Sequence, residues 1–224
     1  MTETITTTQV KTPVKKEAYV QVGGGVNNYR NTTAPDIGVT LGGQVSKNGT
    51  YAKTELGCGT TLKAKVEVGH EFDIGKNMGL ELSANAEYAK QSYDSKFTSN
   101  VSIDHDGQHV DAKNEHRWHD GVKKAGGALM MTFNGKKGNI KAGVEMGGYA
   151  NSAPNVTDTY NALLRQEDGS LKSYHVETKY NAHHAGFYAT PKVSGELNIG
   201  KKGNWSIVAD GDLFGGNAGV RYTF

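Results

Sequence analysis

The residues of this chain best equipped for chemistry are its histidines, and seven of the eight fall into two polar stretches. His105, His109, His116 and His119 lie close to Asp104, Asp106, Asp111 and Glu115. His175, His183 and His184 lie in the second stretch. Imidazoles beside carboxylates can bind a transition metal. The spacing matches no zinc pattern, and polar connections carry such residues for solubility, so no metal is expected. Serine, histidine and aspartate are all present, but no nucleophile elbow frames a serine, and a catalytic assignment would need geometry. Gly23-Gly24-Gly25 sits inside an alternating run with no helix after it, so close backbone packing explains it better than a phosphate loop. Cys58 is the only cysteine; it permits no intrachain disulfide and reads as a small strand filler. Trp118 and Trp205 read as interface or packing aromatics. The expectation is a chain without cofactor and without enzymatic activity.

The elements that carry these residues alternate with period two. Residues 1–16 are Thr-rich and aperiodic and read as a flexible tail, followed by one domain over 17–224. Ala18, Val20, Val22 and Val26 share one parity; Ile37, Val39, Leu41 and Val45 repeat it. Leu56 to Ile74, Met78 to Tyr88, Ala125 to Phe133, Ile140 to Met146, Phe187 to Leu197 and Trp205 to Leu213 continue the pattern. Asn48-Gly49, Gly75-Lys76-Asn77, residues 134–138 and residues 200–203 are short turns. Residues 27–36 read as a connection. Residues 92–118 read as a hairpin tip turning at Asp106-Gly107, and a second polar tip turns at Asp168-Gly169, with residues 160–167 open to a short helix. About nine runs result. Either the first lies outside the wall, or the run 51–74 hides a turn near Gly57–Gly59. The fold expected is all-β, an antiparallel up-and-down β-barrel of eight to ten strands with long hairpins at one end and short turns at the other.

The last eight residues, Asn-Ala-Gly-Val-Arg-Tyr-Thr-Phe, put Val220, Tyr222 and Phe224 on one face. In this motif the chain resembles the bacterial outer-membrane β-barrel family, whose members end in a strand with a terminal Phe and a Tyr two residues before it. The resemblance implies an integral outer-membrane surface protein, lipid around the wall, and engagement of the barrel-assembly machinery by the C-terminal strand. It also implies a non-enzymatic adhesion or structural role, with an extracellular protein or surface ligand at the hairpin tips.

Apolar residues facing lipid would send the charged parity inward. That set is Lys63, Lys65, Glu67, Glu71, Glu81, Glu87, Lys141, Glu145, Lys192, Glu196, Asp210 and Arg221, with both signs present so that the buried charges pair and plug the interior. In a soluble barrel the same charges would face water. The near-neutral formal charge of +2 gives no polycation for nucleic acid. The opening Met-Thr-Glu-Thr-Ile-Thr-Thr-Thr has no apolar h-region, which leaves a soluble or virion-associated, phage-encoded structural barrel as an alternative. A narrow porin or an autotransporter-type translocator is the other; the short chain with no passenger speaks against the translocator.

Overall fold

The computed structural model describes residues 13–29, 32–91, 95–105, 108–118, 121–165, 168–199 and 204–224, with backbone only at 28–29, 32–34, 91, 95–105, 108–118, 152–155, 164–165 and 182. The strands are β1 (Lys15–Tyr29), β2 (Thr32–Lys47), β3 (Thr50–Gly59), β4 (Thr61–Gly75), β5 (Met78–Gln91), β6 (Ser95–His105), β7 (Gln108–Trp118), β8 (Gly121–Gly135), β9 (Gly138–Arg165), β10 (Leu171–Ile199), β11 (Trp205–Asp212) and β12 (Gly215–Thr223). Ten of them close an antiparallel barrel in the order β1-β2-β3-β4-β5-β8-β9-β10-β11-β12, with β12 returning to β1. The Phe224 N–H donates to the Ala18 carbonyl at 2.9 Å and finishes that seam.

Several sequence expectations change. The first run belongs to the wall, because β1 pairs with both β2 and β12, and it begins at Lys15, two residues inside the expected tail. The run 51–74 does contain a turn, between Gly59 and Thr61. Most of 27–36 is strand, since Asn27 to Tyr29 pair with Ala34 to Thr32. Residues 160–165 are strand and not helix, because ladder pairing to β10 on one side and β7 on the other outweighs local helix preference. The expected turns at Asp106-Gly107 and 200–203 lie outside the described residues.

The two ends differ. Short turns join β2 to β3, β4 to β5 and β8 to β9, and both chain ends lie on this side. Asn48 (φ 50°) and Gly49 (φ 79°) make the first of these, a pair of left-handed residues whose twist suits a two-residue hairpin. A Cβ on Gly49 would also lie 2.5 Å from the Glu71 carbonyl oxygen. Gly49→Ala should therefore cost about 2 kcal/mol, read as a lowered midpoint in urea unfolding of the refolded protein.

At the opposite end β9 and β10 run on past the wall. β9 exchanges neighbours there: β8 pairs with it up to Ser152, and β7 takes over from Thr157 to Ala162. With β6 paired to β7, a four-stranded sheet β6-β7-β9-β10 stands on the rim. A bulge between Tyr180 and Ala182 marks where it begins.

Candidate functional site: the barrel wall and its charged interior

Strand parity decides which side chains meet which surroundings. Val22 is 59 % exposed and Leu82 57 %, while Glu81 is 4 % and Glu145 3 % exposed. Leu41, Leu56, Val66, Val68, Ile140, Val144, Val193 and Ile207 face outward on the other strands. This reverses the burial order of a water-soluble protein. Cys58 is free and faces outward with them. At the short-turn rim, Trp205 and Tyr222 pack with ring centroids 4.8 Å apart, and Phe224 meets Tyr222 edge-on at 5.1 Å. These outward aromatics sit where an interfacial belt would need them.

The expected plug of charges does not fill the barrel: inside lies a cavity of about 760 Å³, because the charged side chains lie along the wall in pairs. Eleven of the twelve expected inward residues line it, from Lys63, Lys65, Glu67 and Glu71 on β4 to Asp210 on β11 and Arg221 on β12. The twelfth, Glu145, is buried against its wall, where Lys192 and Tyr188 hold it; the Tyr188 hydroxyl donates at 2.8 Å. Lys65 pairs with Glu67 at 2.9 Å, Lys141 with Glu81, and Arg221 with Glu196 at 3.4 Å. Glu87 lies 3.6 Å from Lys124, which also lies 3.9 Å from Asp212.

Sequence reasoning missed part of this network. Lys53 pairs with Glu55 at 3.0 Å and Lys63 with Asp36. Arg221 donates to Gln21 at 3.0 Å and lies over the Tyr19 ring at 4.2 Å. Three inward tyrosines reach carboxylates across glycine. Tyr19 crosses Gly42 to donate to Glu55, Tyr51 crosses Gly69 to donate to Glu67 at 2.7 Å, and Tyr188 crosses Gly147 toward Glu145. Register pairs each tyrosine with its glycine, so a Cβ on Gly42 or Gly69 would collide with the ring, and one on Gly147 with backbone and the Tyr188 hydroxyl. The readable signal was an inward Tyr two residues from the charges of the same parity, as at Tyr51, Lys53 and Glu55.

The histidines whose side chains are described do not assemble. His119 and the side chains of His105, His109 and His116 lie outside the described residues. His175 shares a 2.6 Å hydrogen bond with Asn161, and His184 stacks on Tyr149 at 5.7 Å. His183 is exposed. Among the described residues no three His, Cys, Asp or Glu side chains converge as metal ligands. At the tip, the Ser170 hydroxyl and N–H donate to Asp168 at 2.6 and 2.9 Å, holding its carboxyl below the usual range.

No family model and no curated protein matches the sequence. Among solved structures, the chain is similar to the translocator domain of the autotransporter NalP from Neisseria meningitidis: 13 % identity over 96 % of this chain and 88 % of that one, TM-score 0.40. It is similar to the outer membrane protease OmpT from Escherichia coli, at 11 % identity over 99 % of both chains and TM-score 0.34. Ail, the attachment invasion locus protein of Yersinia pestis, solved with the heparin analogue sucrose octasulfate, gives 8 % identity over 93 % of this chain and 97 % of that one, TM-score 0.30.

Proposed function

We propose that this chain is an integral β-barrel of the bacterial outer membrane, with a charged, largely self-paired interior and a non-enzymatic role at the cell surface. One observation carries the membrane reading: the apolar parity covers the outside of a closed barrel, and the ionised parity fills the inside. In water such a wall would expose far more contiguous apolar surface than monomeric proteins tolerate. In a bilayer closure satisfies every wall hydrogen bond and the apolar face meets hydrocarbon.

Short turns at one end and the β6-β7-β9-β10 sheet at the other follow the asymmetry of such barrels, whose longer connections face outward. The sheet offers a strand edge and exposed Tyr174, Val176 and Tyr180 as contact surface for an extracellular protein or other surface ligand. That placement supports an adhesive or structural role.

The test is to secrete the chain with an added signal and compare boiled and unboiled samples of the membrane fraction on a denaturing gel. A membrane-bound species whose mobility changes on boiling is the expected result. Protein soluble without detergent would sink the membrane reading and favour the virion-associated one. The C-terminal motif makes a second prediction. Removing Phe224 should lower the amount of assembled barrel in cells while leaving unaided refolding into detergent nearly unchanged, because recognition by the assembly machinery and closure of the wall use different features. Equal losses in both assays would assign Phe224 to the seam alone.

A further inference from the structure

The interior cavity is lined continuously between the two ends of the barrel. Glu17, Asn134 and Asn198 line it near the short turns, and Asn27, Val122 and Phe214 near the hairpin end. Spread over a wall of roughly 25 Å, its volume averages about 30 Å² of section, which is room for water and small ions.

Among the described residues, the charges facing this space do not cancel. Lys53, Lys63, Lys65, Lys141, Lys192 and Arg221 each pair with a different carboxylate, and Lys124 stands between two, Glu87 and Asp212. Glu71 and Asp210 also line the cavity but form none of these ion pairs. Among the described residues carboxylates are therefore in surplus, although Lys65, Lys63 and Lys53 act electrostatically on Asp210 from nearby, and a narrow lumen with low-dielectric walls focuses the field of charges without a direct partner. At the hairpin end the turn between β11 and β12 folds inward. Phe214 meets Tyr188 edge-on at 5.1 Å and Tyr149 at 5.9 Å, with Lys124 Nζ 4.8 Å from its ring centroid.

We propose that the lumen is a narrow water-filled passage for small monovalent cations, with Glu71 and Asp210 setting its preference and Phe214 constricting its outer mouth. Rings or clusters of unneutralised carboxylates favour cations electrostatically, and an apolar side chain at a constriction limits flow. This rests on the membrane reading above.

The experiment places the refolded full-length chain, first shown by the boiling-dependent gel shift to have inserted, in a planar bilayer under a potassium chloride gradient. Small unit currents should reverse on the potassium side, with permeability to potassium severalfold above that to chloride. The preference should fall toward parity near 1 M salt, where the screening length shrinks to about 3 Å. Glu71→Gln combined with Asp210→Asn should lower the permeability ratio severalfold, and Phe214→Ala should raise the unit conductance severalfold without changing its sign. Reversal on the chloride side overturns the proposal, as does a ratio unchanged in the double variant. Inserted protein that passes no current with or without Phe214→Ala defeats the passage and leaves the membrane barrel standing. Failure to insert at all defeats both.

Discussion

Val68→Arg is expected to cost about 2–4 kcal/mol of folding stability in lipid vesicles. Val68 is 56 % exposed near the middle of β4, between Ala52 on β3 and Ala84 on β5, in the band that also carries Val66 and Leu82. An arginine there must hold its guanidinium in hydrocarbon or reach along the wall to the interface. The measurement is urea unfolding of the refolded chain in phospholipid vesicles, followed by tryptophan fluorescence or the gel shift. On a water-facing wall the same exposed position would change stability by less than about 0.5 kcal/mol. The substitution therefore separates a lipid-facing wall from a solvated one by a margin larger than experimental error. A loss within that small range would return the outer face to water.

Lys192→Met is expected to cost about 3 kcal/mol. Glu145 is nearly inaccessible; the Lys192 ammonium and the Tyr188 hydroxyl bond to it directly, and Lys124 acts on it from farther off. Taking away the ammonium leaves a carboxylate with one neutral donor, in a place water scarcely reaches. The double variant Lys192→Met with Glu145→Gln removes both charges and keeps an oxygen for Tyr188. It should recover to within about 1 kcal/mol of the parent. A double-mutant cycle in the same unfolding assay then gives a coupling energy on the order of 2 kcal/mol. Independent, additive effects would show that the pair does not hold the wall together.

Strand parity carried much of this protein in its sequence. Because a strand places alternate side chains on opposite faces, Lys63 and Lys65 had to share a side with Glu67, and Val66 with Val68, whatever the barrel's size. The asymmetry of the ends was also legible, from Asn48-Gly49 and the other short turns against two long polar stretches. Strand number was legible only as eight to ten: the glycines at 57 and 59 offered a turn, but the runs of unbroken parity on both sides of the Gly59–Thr61 reversal left its presence undecided. The reach of β9 and β10 beyond the wall was hidden for a different reason. A polar stretch reads as a loop, while pairing along β7 and across the β9–β10 ladder makes it sheet.

Pairing between residues distant in sequence was beyond any one-dimensional reading. Lys141 and Glu81 are 60 residues apart in sequence, and Gln21 and Arg221 are 200 apart; only the register of the closed barrel brings them together. The Tyr19–Gly42 and Tyr51–Gly69 crossings depend on the same register, since a one-residue slip would turn each ring to the opposite face. The sequence by itself determined two opposed faces, one apolar and one ionised, together with the turns that fold them back and forth. Which face became the inside was decided by closure. Ten strands enclose a lumen whose charges neighbour one another closely enough to pair, and that pairing is an energy between residues distant in sequence, which no local pattern records.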